Sequence, residues 1–182
     1  MKKDEQRGRC GMTKVLIVSD SHGLAEELSE IKERHEVDYL IHCGDSELDI
    51  DSGPMEDFYK VAGNCDFDNR YPIEQTMEID GLNFLIVHGH LHKVNYGLTA
   101  LSLRAREANA DVVCFGHTHV AGVVQEGEQL FINPGSIYQP RGGMQEKTYA
   151  ILEWDTGQQD IAVKFYTLTG EHYRALDYPK NT

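Results

Sequence analysis

No stretch of this chain stays apolar for the roughly 18 to 20 residues that a membrane-spanning helix needs. Residues 1–11 are charged where a signal peptide would be apolar. There is no Cys-x-x-Cys pair either. The four cysteines, Cys10, Cys43, Cys65 and Cys114, are scattered, which argues against a disulfide framework and leaves free thiols in a reducing compartment as the expectation. Basic runs are also missing. Seventeen Lys and Arg stand against 30 Asp and Glu, a formal net charge of −13, so the long-range field repels nucleic-acid backbone and anionic membrane surfaces. Lys93, Arg104, Arg106 and Arg141 are too dispersed to make a basic track. Internal repeats, low-complexity tracts and linkers are absent as well. These absences predict a soluble, cytoplasmic protein that does not engage membranes and for which nucleic acid is a poor partner.

What is present fills one domain: 182 residues at 40% hydrophobic content can bury a single sizeable core. Residues 1–11 read as a disordered polar leader or an alternative start, 12–170 as the domain and 171–182 as a tail. Val15-Leu16-Ile17-Val18 is a short β-branched run of the kind buried on both faces of a sheet. Leu24, Leu28 and Ile31 then recur at helical spacing. The same strand-then-polar-loop grammar repeats at 39–41 and 59–62. Asp80-Gly81 between 73–79 and 82–87 predicts a hairpin. Asn95 is placed to cap a helix carrying Leu98, Leu101, Ala105 and Ala108, before the buried strand 112–115. Beyond it the segments 120–125, 129–132, 147–154 and 160–167 predict antiparallel strands, and the last two leave room for a homodimer. The sum is an α/β fold with a mixed sheet and helices outside.

The chemistry gathers where strands end. Asp20-Ser21-His22-Gly23, Gly44-Asp45, Gly63-Asn64, His88-Gly89-His90 and Gly116-His117-Thr118-His119 each follow an apolar run, and such loops build the site in α/β folds. Five of the nine histidines, His88, His90, His92, His117 and His119, fall between 88 and 119. In Asp20-x-His22 and His117-x-His119, an extended segment would bring alternate side chains to related positions, and the glycines would admit close backbone approach. Imidazole, carboxylate and amide without thiolate suit manganese, nickel, zinc or iron rather than an iron–sulfur cluster. Ser21 and Ser136 show no Ser/His/Asp spacing, which disfavours a covalent hydrolase.

In this order, Asp-x-His, Gly-Asp, Gly-Asn, His-Gly-His and Gly-His-x-His resemble the motifs of the calcineurin-like metallophosphoesterases. With Gly63-Asn64-Cys65-Asp66 and Asn133-Pro134-Gly135-Ser136, the chain is similar to their small bacterial and archaeal phosphodiesterase branch. The resemblance runs from residue 13 to about 167. It implies a two-layer mixed β-sheet sandwich flanked by helices, with two divalent metal ions at one end. Manganese is the first expectation. Asp20, His22 and His119 would hold one ion, Asn64, His88 and His117 the other, and Asp45 would bridge them. It further implies in-line attack on phosphorus by a hydroxide held at the metal pair, which also clamps the phosphate oxygens. The substrate would be a small phosphorylated molecule, more readily a phosphodiester than a monoester.

Many members of the wider superfamily carry Gly-Asn-His where this chain has Gly63-Asn64-Cys65, and a thiol is a poorer proton donor carrying no charge at pH 7. His90 becomes the first candidate acid. Asp66 is placed to orient His22 or a water, and Cys65 to line the pocket. Several polar residues have plainer readings. Glu47 to Asp51 lack the spacing of a calcium loop and read as solvated, His92 and His172 as solvated, His35 as a helix-end residue, and Asn133 to Ser136 as a turn walling the site. His42 is explained as well by packing as by support of the ligands. The competing functions are a phosphomonoesterase and a protein-interaction scaffold with a vestigial site. Retention of all seven ligand types argues for catalysis.

Overall fold

The computed structural model describes residues 11–155 and 160–179. The expected leader therefore lies outside the described residues up to residue 10, as does the end of the expected tail, 180–182. Two five-stranded sheets face each other. The first contains β1 (Met12–Val18), β2 (Tyr39–His42), β3 (Phe58–Lys60), β9 (Thr148–Asp155) and β10 (Ile161–Thr167), in the order β10-β9-β1-β2-β3. The second contains β4 (Glu74–Ile79), β5 (Leu82–Val87), β6 (Val112–Cys114), β7 (Gly122–Glu126) and β8 (Gln129–Asn133), in the order β4-β5-β6-β8-β7.

Strand alternation explains the layers. In β1, Val15 and Ile17 face the space between the sheets, while Leu16 and Val18 face outward beneath Leu28 and Ile31 of helix α1 (Ala25–Arg34). In β5, Phe84 and Ile86 point inward, and Leu85 and Val87 lie beneath Leu101 and Ala105 of helix α2 (Thr99–Glu107). A run of four apolar residues is therefore needed because both faces of each central strand are covered. The parallel neighbours β1-β2-β3 and β5-β6-β8 aim their carboxyl ends at one end of the sandwich, which puts the ligand loops there.

Three local expectations are corrected. β8 pairs antiparallel with β7 but parallel with β6. The chain leaving β6 carries His117 and His119 over the sheet end before returning, so the position beside β6 is filled by β8 rather than β7. Asn95 does not cap α2. It lies in a 3₁₀ turn, Val94–Tyr96, that Gly97 at φ +127° separates from the helix, and Leu98 holds the cap position. The strands expected to be exposed are not open edges. β9 is interior, and residues 171–178 lie along β10, bonding Val163, Phe165 and Thr167. Among the described residues no helix is long and apolar enough to cross a membrane.

Candidate metal centre

Six positions in the ligand loops are left-handed although none is glycine: Asp20, His22, Asp45, Glu47, His117 and His119 have φ between +42° and +69°. Asp-x-His and His-x-His are thus not extended segments, which corrects the sequence expectation. An extended strand would send residues i and i+2 onward in parallel. A left-handed residue at each turns the chain back, so the pair converges on one space. Aspartate and histidine are among the side chains that tolerate this region best, so the residue types that can ligate a metal also fit the backbone.

Glycines let these loops interlock. A Cβ on Gly63 would fall 2.0 Å from Asp45 Oδ1, and one on Gly116 would fall 1.9 Å from Ser19 Oγ and 2.5 Å from Asp20 Oδ2. The close approach expected of the glycine backbone is therefore to the two central carboxylates.

Each buried donor is tied at one atom and free at the other. Asp20 Oδ2 accepts bonds from Ser19 Oγ at 2.6 Å and the His117 N–H at 3.1 Å. His22 Nδ1 bonds Glu47 Oε1 at 2.5 Å. His88 Nδ1 donates to the Cys43 carbonyl at 2.8 Å, and His119 Nδ1 to the Gln139 carbonyl at 2.6 Å. Asp45 Oδ1 accepts the Cys65 N–H at 2.8 Å. The opposite atoms Asp20 Oδ1, His22 Nε2 and His88 Nε2 are buried without a hydrogen-bond partner. They share one space: Asp45 Oδ2 lies 3.3 Å from His88 Nε2 and 4.0 Å from His22 Nε2, and Asp20 Oδ1 lies 3.0 Å from His119 Nε2 and 3.9 Å from His88 Nε2. Three compact donor sets result among the described residues: Asp20 with His22 and His119, Asp20 with Asp45 and His88, and, toward the surface, His22 with Glu47 and Cys65. Leaving buried polar atoms unpaired is costly, and a bound cation would satisfy them all. The residues fit a metal centre.

The charges agree. Burial opposes ionisation of Asp20, yet His119 and His88 outweigh it and lower its pKa. For Asp45 burial is likewise overcome, chiefly by His88 and by the Cys65 N–H, so its carboxyl is held well below the usual range. Both stay anionic.

Asn64 and His117 stand at the margin. Asn64 is exposed, its amide donating to Cys65 Sγ at 3.3 Å. The His117 ring lies edge-on to His88, 5.1 Å between centroids, and its Nε2 is 2.9 Å from Asn95 Nδ2. His90 joins the same cluster, 5.4 Å from His88 and 6.1 Å from His117, with Nδ1 buried and unpartnered. Burial, then the Asp45 charge, pushes the Cys65 thiol up to about 11. Asp66 does not orient His22. Its carboxylate accepts the N–H groups of Asp45, Glu47 and Gly63 at 2.7–2.8 Å and the Ser46 hydroxyl at 3.0 Å, pinning the Gly-Asp and Gly-Asn loops together.

The residue that orients His22 is Glu47, not a solvated loop residue as its acidic surroundings suggest; its position two residues beyond Asp45 is the one signal in the sequence. His42 also has a definite place. It is fully buried, its Nδ1 accepts the Gly44 N–H at 3.2 Å, and its Nε2–H therefore donates to Ser21 Oγ at 2.9 Å, joining the Asp-x-His loop to the Gly-Asp loop. Burial lowers its pKa to about 4.

Comparison with known proteins gives the family and the fold. Residues 13–157 match the model of the calcineurin-like phosphoesterase superfamily domain. The chain is 46% identical over 165 residues to a probable metallophosphoesterase of Bacillus subtilis, YsnB, covering 89% of this chain and 95% of that one. It is 28% identical over 175 residues to the Escherichia coli phosphodiesterase YfcE, covering 79% and 89%. The crystal structure of a conserved, uncharacterized Streptococcus pneumoniae protein described as a predicted phosphoesterase superposes with a TM-score of 0.86 at 37% identity, covering 93% of this chain and 97% of that one.

Proposed function

Because the chain belongs to the calcineurin-like phosphoesterase superfamily, we propose that it is a metal-dependent phosphodiesterase acting on a small phosphorylated substrate in the cytoplasm. The observation that carries this reading is the set of buried donor atoms left unpaired around one space while their opposite atoms are tied. Asp20, His22 and His119 would hold one divalent ion, His88, His117 and Asn64 a second, and Asp45 would lie between them. Manganese is the first choice, with nickel, zinc or iron fitting the same donors. When bound, such ions supply a nucleophilic water at neutral pH and positive charge for the phosphate.

The chain's own residues do the rest. Glu47, Gln139 and Cys43 fix the ring orientation of His22, His119 and His88. Asp66 keeps Gly63 and Asp45 in register. His90 is the candidate donor of a proton to the leaving oxygen, because Cys65 at about 11 holds its proton too tightly. Four carboxylates, Asp20, Asp45, Glu47 and Asp66, surround the site, which favours a singly charged diester over a doubly charged monoester. The free thiols Cys43, Cys65 and Cys114 suit a reducing compartment.

The test is hydrolysis of bis(p-nitrophenyl) phosphate by chelator-treated protein, with and without added Mn²⁺, against Asp45→Asn protein. Metal-restored turnover, abolished in the variant together with at least one bound ion, is expected. Full turnover by Asp45→Asn protein with both ions retained would overturn the assignment. No turnover with any divalent ion would leave the protein-interaction scaffold as the better reading.

A further inference from the structure

One arginine whose backbone adjoins the centre has a side chain without a partner among the described residues. Arg34, Arg70, Arg104 and Arg106 are each tied to a carbonyl or carboxylate. The Arg141 side chain is exposed and makes no such bond among the described residues. Arg174, likewise unpaired, lies in the turn over β10. In a chain of net charge −13, Arg141 has no carboxylate within ion-pair distance among the described residues.

Its backbone is fixed against the centre. The Arg141 N–H donates to the His119 carbonyl at 3.0 Å, and His119 Nδ1 donates to the Gln139 carbonyl at 2.6 Å, so the two segments clasp each other. On one side, a Cβ on Gly142 would fall 2.9 Å from Val120 Cγ2, so the loop lies flush on Val120. On the other, Ser136 Oγ accepts the Tyr138 and Gln139 N–H groups at 3.0 and 2.9 Å and donates to the Asp20 carbonyl at 2.8 Å. The Tyr138 ring lies 5.2 Å from that of His22. Residues 136–142 are thus bolted to Asp20 and His119, and the exposed Arg141 belongs to the rim they form.

We propose that Arg141 is a substrate-binding residue whose guanidinium takes phosphate oxygens, a geometry that its planar fork matches in two-point fashion. It would also offset the repulsion that Asp20, Asp45, Glu47 and Asp66 exert on an approaching phosphate. The proposal rests on the phosphodiesterase reading and names the contact that reading lacks. The phosphate is either that of the ester being cleaved or a second one carried by the same substrate.

Arg141→Gln and Arg141→Lys proteins, with metal content and melting temperature checked against the parent, separate the cases. Binding of inorganic phosphate to the Mn²⁺-loaded proteins is measured by calorimetry. Turnover is measured on bis(p-nitrophenyl) phosphate and on thymidine 3′-phosphate 5′-(p-nitrophenyl phosphate). A loss of about tenfold or more in phosphate affinity and in kcat/KM on both esters for Gln, smaller for Lys, is the result expected if the guanidinium meets the cleaved phosphate. The same loss confined to the ester with the extra phosphate assigns the contact to that second group. Unchanged binding and unchanged kcat/KM on both would overturn the proposal. If the parent protein turns over neither ester, the phosphodiesterase reading falls, while phosphate affinity still decides for or against Arg141.

Discussion

His88 and His119, buried inside the centre, are each fixed by a main-chain carbonyl, whereas His22 and His117, at its rim, are each fixed by a side chain. The interior pair takes its orientation from the way two loops cross. The Cys43 carbonyl that holds His88 belongs to the loop after β2, in the opposite sheet, so closing the sandwich sets that ring. The rim pair depends on Glu47 and Asn95, which a single substitution can remove. Interior geometry is therefore a property of the fold, and rim geometry a property of two residues.

The largest expected effect breaks the interior. His88→Ala should lose at least one ion and, by leaving the Cys43 carbonyl without its donor, destabilise the metal-free protein by roughly 1–3 kcal/mol. Metal analysis and thermal melting check both, and an unchanged melting temperature would show that the carbonyl is not part of the holding structure.

Next comes the pH dependence of the interior support. His42 has a folded pKa of about 4 against an ordinary 6.5. Between those values the unfolded chain takes up a proton that the folded chain refuses. Stability is therefore full above pH 6.5 and falls as the pH drops toward 4, by up to about 3 kcal/mol. Denaturant titrations of chelator-treated parent and His42→Asn proteins at pH 7 and 4.5 should show the steeper fall in the parent. Equal falls would mean that His42 is not held neutral.

The smallest effect sharpens the rim. Glu47→Gln should keep the fold and weaken metal affinity about 10- to 100-fold, the usual cost of losing a carboxylate behind a ligating imidazole. Metal titration followed by calorimetry measures it, and wild-type affinity would show that His22 needs no such support.

The same division marks how much was legible in the sequence. Strand runs such as 15–18 and the Asp80-Gly81 hairpin could be read because burial on both faces and turn chemistry leave local signatures. Asp20, His22, Asp45, His88 and His119 could be read as a group because they are the ligand types at strand ends, and the structure brings them together. Glu47, Asn95 and Asp66 could not be assigned their contacts. Each acts across a gap in sequence, on His22, His117 or the backbone of residues 45–47, and a lone acid or amide in a polar loop carries no sign of its target. Asn95 falls in a 3₁₀ turn rather than at a cap because the pattern that announces a helix cap is the same whether the next turn is α-helical or 3₁₀. The ligand residues are left-handed rather than extended for a similar reason, since alternation in sequence says nothing about φ.

Those left-handed residues set a conflict between folding and function. For an L-residue this region costs about 1–2 kcal/mol, less for aspartate and none for glycine, and six such positions crowd the loops around one centre. A population of variants selected only for thermal resistance, in a medium stripped of metal, would gain by drifting toward glycine at His22 and His117, whose partners Glu47 and Asn95 are exposed. The hardiest descendants would then be inactive, so breeding a more robust form of this protein requires that every round also screen for bound metal.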